Sequence, residues 1–193
     1  MNILRRVSDN VLWLYCNDYK TRNNIAYAAE MHGISKSRLI YADKLSHEEN
    51  IVRMGLADLG LDTKTYNGGA TTCDMLWAGL PLLTLKGNYF ASRMGASILN
   101  AVGLSDLIAC TLDEYEDMAV HLASNSDKIN AIRERLLHNR LHEPLYDVPK
   151  FTRCLEKTFT EMWETYRNGS APREIKVKSN PDYPLHASAM TTR

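Results

Sequence analysis

Two adjacent glycines, Gly68 and Gly69, stand between an apolar run ending at Leu61 and a helix-forming stretch that begins Ala70-Thr71-Thr72. Glycine adopts backbone angles closed to other residues and lets a ligand come close to the main chain. If the next residues open a helix, free N–H groups and two hydroxyls point out of its positive end, which suits a diphosphate. Asp74 lies three residues beyond Thr71 and can accept hydrogen bonds from ribose hydroxyls. The same T-x-x-D spacing is that of a capping-box variant, in which Thr71 caps the helix and Asp74 supports its first turn, worth about 1 kcal/mol. Spacing alone leaves both readings open.

A second polar cluster, His47-Glu48-Glu49-Asn50-Ile51-Val52-Arg53, follows Ser46. Ser46 with Glu49 has the spacing of a capping box, which would turn the charges to solvent. His47 can stack on or hydrogen-bond a base, and Arg53 reads as a surface ion-pair partner. A third group, Lys86-Gly87-Asn88-Tyr89, follows another apolar run. Lys86 can offset phosphate charge or lie exposed, and Arg93 suits helix packing or an ion pair as well as ligand contact. His121, His138 and His142 lack the carboxylate or cysteine neighbours of a metal triad, so no metal is expected. Neither Ser92, Ser97 nor any cysteine has a base motif beside it, which leaves a covalent nucleophile without support.

These groups need a frame. Short apolar runs at 11–15, 38–41, 59–61, 82–85 and 107–109 predict strands. Helix-length segments at 21–32, 46–58, 71–78, 91–102 and 113–124 fall between and after them. Strands so separated pair in parallel, giving an α/β fold with right-handed crossovers. The loops at 68–72 and 86–89 then leave the carboxyl ends of neighbouring strands, where ligands of open α/β sheets sit. Beyond residue 126 only helices are predicted, at 128–139 and 148–166, with Pro144 and Pro149 breaking the chain between them. Met75, Leu76, Trp77, Phe151, Leu155, Phe159 and Trp163 have the periodicity of core-facing positions. Residues 1–169 are read as one α/β domain with C-terminal helices, to which the resemblance given below adds nucleotide-sugar binding, and 170–193 as a loose tail.

Composition sets the outer bounds. The 193 residues suffice for one domain with a real core. Lys plus Arg equals Asp plus Glu at 23 each, so no basic field attracts nucleic acid or an anionic membrane. Cys16, Cys73, Cys110 and Cys154 are widely spaced and form no CxxC, as expected of reduced thiols in a cytoplasmic protein.

The stretch NGGATTCDMLWAGLPLLTLKGNYFASRMGASIL resembles the nucleotide-binding region of the O-linked N-acetylglucosamine transferases. Upstream HEENIVRMGLADLGLDT carries the likeness further, as do GLSDLIACTLDEYEDMAVHLA and PLYDVPKFTRCLEKTFTEMW downstream, over roughly residues 3–169. The resemblance implies the C-terminal, Rossmann-like half of a GT-B glycosyltransferase. It further implies uridine diphosphate N-acetylglucosamine as donor, Ser or Thr of intracellular proteins as acceptor, and no metal. It places the diphosphate on Gly69, Ala70, Thr71 and Thr72, the ribose on Asp74, and the base or ribose near His47 and Asn50. Where some members carry a histidine and two threonines, this chain aligns Gly69, Ala70 and Thr71, with Thr72 one place later. Backbone contact to phosphate survives that change, whereas a histidine contact does not.

The corresponding domain of these transferases opens with a further strand and loop, while Ile3, Leu4 and Val7 already have helix spacing. The chain is therefore expected to be an N-terminally truncated piece without its first, central strand. It should be inactive alone, with no catalytic residue of its own and with acceptor contacts made by a missing N-terminal half. The sheet would be split between the strands at 11–15 and 59–61 unless another segment filled the gap. A sugar-nucleotide epimerase and a degenerate non-catalytic binding or interaction module are the alternatives.

Overall fold

Five short parallel strands alternate with helices in the computed structural model, which describes residues 1–176. The strands are β1 (Leu12–Tyr15), β2 (Leu39–Ala42), β3 (Gly60–Leu61), β4 (Leu82–Leu85) and β5 (Ile108–Ala109). Around them run α1 (Asn2–Arg6), α2 (Tyr19–Met31), α3 (His47–Met54), α4 (Ala70–Trp77), α5 (Met94–Ala101), α6 (Leu112–Ala123) and α7 (Ser126–His142). A last helix, α8 (Val148–Arg167), follows. The chain divides into two compact units, Met1–Arg140 and a second starting at Leu141. Residues 177–193 of the expected tail lie outside the described residues.

The sheet is in two pieces. β1 pairs with β2, and β3, β4 and β5 pair in that order, all in parallel. All four residues of β4 are buried, as its apolar Leu-Leu-Thr-Leu run requires of a strand covered on both faces. Leu76, Leu99, Leu104 and Leu107 complete the core around it. A second cluster of Leu4, Ala29, Ile34 and Leu39 joins α1 and α2 to β2.

No ladder joins β1 to β3, as expected from the sequence. Cys16 N–H donates to Ala42 (3.3 Å), so alternate residues Trp13 and Tyr15 turn their main-chain groups away from β2. Gly60 and Asp62 N–H donate to Pro81 (2.7 Å) and Leu83 (3.0 Å), which turns Leu59 and Leu61 away from β4. Both edges, unpaired among the described residues, line one cavity of about 610 Å³, walled by apolar residues of α1, α3, α4 and α6. The N-terminal segment is nonetheless held. Arg38, on the turn before β2, donates to the carbonyls of Asn10 (2.7 Å), Leu4 (2.8 Å) and Val7.

Several sequence expectations need correction. Leu76 is fully buried, and Met75 and Trp77 are half-buried, but Phe151, Leu155, Phe159 and Trp163 of α8 are exposed among the described residues. Periodicity identifies which face of a helix is apolar, not whether anything covers it. Pro149 sits in the first turn of α8 instead of breaking the chain, because an N-terminal position has no intrahelical N–H to lose. Helix α5 starts at Met94, since a 3-10 turn occupies Phe90–Ser92.

Candidate functional site

The site is built from the carboxyl end of β3 outward. After Leu61 the chain runs through Asp62 and a loop to Gly69, the N-cap of α4, where no side chain caps the helix. The first-turn N–H groups of Ala70, Thr71 and Thr72 thus receive no side-chain partner, and they carry the positive end of the helix dipole. Here the capping reading of Thr71 fails: Thr71 lies inside the helix, and Asp74 is a turn beyond the cap. Thr71 is exposed at the mouth. Thr72 is buried, with its hydroxyl under the loop; a Cβ on Gly68 would lie 2.5 Å from Thr72 Oγ1. Glycine is therefore required at 68 for close approach of the loop to the helix.

Helix α3 brings the second group alongside. Its Ser46–Glu49 capping box is fully formed, with Ser46 N–H donating to Glu49 Oε2 (3.1 Å) and Glu49 N–H donating to Ser46 Oγ (3.3 Å). That box leaves His47 exposed, its Nδ1 3.8 Å from Asp74 Oδ2. Base-side and ribose-side candidates thus share one rim. Asn50 is half-buried, and its Oδ1 accepts from Arg53 Nη2 (2.5 Å). Arg53 is not the ion-pair partner expected, because its other nitrogen donates to the Asp43 carbonyl (2.7 Å), so it orients Asn50. Cys73, behind Thr72, has its thiol pKa raised by burial and by the neighbouring Asp74 carboxylate.

The second loop emerges beside the first. Asn67 N–H donates to the Ala91 carbonyl (2.8 Å) and Gly95 N–H donates to Asn67 Oδ1 (3.2 Å), lacing the two loops together. Lys86 and Arg93 are exposed, and neither forms an ion pair with a carboxylate among the described residues. Sequence reasoning missed the groups beneath: Asp62, Asn67, Thr84 and Tyr115. Asp62 Oδ1 accepts from Thr63 N–H (2.9 Å) and Gly68 N–H (2.8 Å), while its Oδ2 accepts from the Thr84 hydroxyl (2.7 Å). Tyr115 OH donates to the Asp62 carbonyl (2.9 Å). The one signal available was a lone threonine inside an otherwise apolar strand. Among the described residues no three His, Cys, Asp or Glu side chains group to hold a metal ion. Nor is any described helix long and apolar enough to cross a membrane.

A glycine loop running into an uncapped helix at the carboxyl edge of a parallel sheet, with His and Asp on the rim, is an α/β layout whose helix end can receive an anion. Comparison with known proteins narrows the class: residues 1–155 match glycosyl transferase family 41, and the chain belongs to that family. It is 36% identical over 180 residues to the Arabidopsis thaliana protein named probable UDP-N-acetylglucosamine–peptide N-acetylglucosaminyltransferase SEC, covering 93% of this chain and 18% of that one. A Caenorhabditis elegans UDP-N-acetylglucosamine–peptide N-acetylglucosaminyltransferase is 32% identical over 169 residues, covering 88% of this chain and 15% of that one. In three dimensions a mutant O-GlcNAc transferase of Thermobaculum terrenum superposes with a TM-score of 0.79 at 27% identity, over 88% of this chain and 33% of that one. The chain thus spans less than a fifth of the length of these two curated relatives.

Proposed function

We propose that this chain supplies the donor-binding, C-terminal α/β part of a GT-B protein O-glycosyltransferase and takes uridine diphosphate N-acetylglucosamine. In this reading the N–H groups of Gly69, Ala70, Thr71 and Thr72, with the Thr71 hydroxyl, receive the diphosphate. Asp74 accepts from the ribose hydroxyls, and His47 with Asn50 faces the base. As the oxygen of an acceptor Ser or Thr hydroxyl bonds to C1 of the sugar, the C1–O bond to the diphosphate breaks. The electron pair leaves on uridine diphosphate, and the hydroxyl proton passes to a group outside this chain. The chain's own contribution is electrostatic, since helix N–H groups meet the charge that grows on the leaving diphosphate. No residue here is assigned as catalytic, and no metal is called for. Four free cysteines fit a cytoplasmic setting.

The observation that carries the reading is the uncapped start of α4 beneath Gly68 and Gly69, with His47 and Asp74 together on its rim. Titration calorimetry tests it. Uridine diphosphate should bind several-fold more tightly than uridine, and Thr71→Val with Thr72→Val should weaken it several-fold. Asp74→Asn should weaken uridine diphosphate more than its 2′,3′-dideoxy analogue. Equal affinities for uridine and uridine diphosphate would overturn the assignment.

A further inference from the structure

Asp62 occupies a place that no part of the proposed donor contacts explains. Its carboxylate lies one residue beyond β3 and is bound on both oxygens. Oδ1 gathers the N–H groups of Thr63 and Gly68, the two ends of the loop, and Oδ2 is bound by Thr84 of the central strand β4. The residue's main chain is fixed as well, its N–H donating to Leu83 (3.0 Å) and its carbonyl accepting from Tyr115 on α6. Asn67, fully buried, closes the loop from the other side, donating to the Thr63 carbonyl (2.7 Å) and accepting from Gly95 of α5. The peptide groups leading to the mouth of α4 are therefore set by side chains beneath the loop, none of which belongs to α4.

We propose that Asp62 is a positioning residue for the diphosphate: by holding Gly68 N–H it presets the path of the loop that leaves the Gly69–Thr71 N–H groups turned to the ligand. The proposal rests on the donor-site reading above. Preset donors contribute more than flexible ones, because no ordering has to accompany binding.

The geometry sets an unusual substitution pattern. Asparagine can reproduce every contact of the carboxylate, its oxygen accepting from Thr63 and Gly68 and its NH₂ donating to Thr84 Oγ1. Alanine can reproduce none. Titrations of the full chain with uridine diphosphate and with uridine, on wild type, Asp62→Ala and Asp62→Asn, test the idea. Asp62→Ala should lose uridine diphosphate affinity several-fold while uridine affinity stays, and Asp62→Asn should restore most of the loss. Thr84→Val keeps the β-branched shape and frees only Oδ2, so it should show the same selective loss in smaller measure even where Asp62→Ala folds poorly. A lowered melting temperature with an unchanged ratio of the two affinities, in Asp62→Ala or in Thr84→Val, would give Asp62 to the fold alone and overturn the proposal. A wild type that fails to distinguish uridine diphosphate from uridine would remove the donor-site reading itself, and this one with it.

Discussion

Gly95, in the first turn of α5, is the tightest point of the framework under the loop. A methyl group there would overlap Asp62 Oδ2 and Thr84 Oγ1 and come to 3.0 Å from Thr84 Cβ. Gly95→Ala therefore has to break the Thr84–Asp62 hydrogen bond or move β4 away from α5. Overpacking a close-packed site costs about 1–3 kcal/mol. A hydrogen bond to a charged group contributes about 1.5–3 kcal/mol. Against these, alanine gains about 0.5–1 kcal/mol over glycine in helix propensity. Either cost alone, less the alanine gain, leaves an expected loss of about 1–2 kcal/mol, which for a domain of this size lowers the thermal midpoint by roughly 2–8 °C. Urea and thermal melts followed by circular dichroism measure it. Gly95→Ala and Asp62→Ala act on one bond, so the double variant should cost clearly less than the two single losses together. A loss under about 1 kcal/mol, within the range of ordinary surface changes, would mean that the packing around Asp62 is looser than described. Strict additivity would mean that the two residues are not coupled.

Three further outcomes follow from other parts of the molecule. Arg38→Met leaves three carbonyls of the N-terminal segment without their donor and should cost about 3 kcal/mol in urea melts, whereas Lys36→Met, on an exposed side chain, should cost almost nothing. Burial, then the nearby Asp62 carboxylate, raises the Tyr115 hydroxyl pKa above the ordinary value of about 10. Its contribution to stability is intact below the unfolded value and is lost as pH rises through the folded one, so alkaline destabilisation should be steeper in wild type than in Tyr115→Phe. The two edges around the cavity, unpaired among the described residues, should make the chain bind 1-anilinonaphthalene-8-sulfonate and scatter light at micromolar concentration. A monodisperse, dye-silent monomer would contradict that expectation.

Much of the frame could be read from the chain. The bounds of β4 are legible to the residue, because a short strand, apolar but for Thr84, is bounded by Pro81 and Lys86. Strands β1, β2, β3 and β5 shifted by a residue at one end or both, as expected where burial fades gradually. The glycine loop was legible because Gly68 and Gly69 punctuate a strand-to-helix junction. Two site details were not. By spacing alone Thr71 reads more readily as a cap than as a ligand contact, and only the entry of the chain at Gly69 removes the cap. Arg53 read as an exposed ion pair, because its partners are the Asp43 carbonyl and the Asn50 amide and main-chain acceptors leave no trace in side-chain spacing. Asp62 is illegible for a related reason: its partners are two loop N–H groups, the Leu83 carbonyl and the hydroxyls of Thr84 and Tyr115, which only the fold brings to it.

The break between β1 and β3 bears on how the molecule comes apart. Ladder hydrogen bonds carry cooperativity across a sheet, and none crosses this gap. The cluster of Leu4, Ala29, Ile34 and Leu39 around β2 can then open as a unit separate from the β3–β5 core, giving two transitions where an unbroken sheet would give one. The rim of the candidate site is drawn from chain segments on both sides of this gap in the sheet. His47 and Asn50 come from α3, which follows β2, while Ala70, Thr71 and Asp74 come from α4, which follows β3. A nucleotide touching both helices would act as the missing crosslink, raising the weaker transition toward the stronger one in proportion to its occupancy.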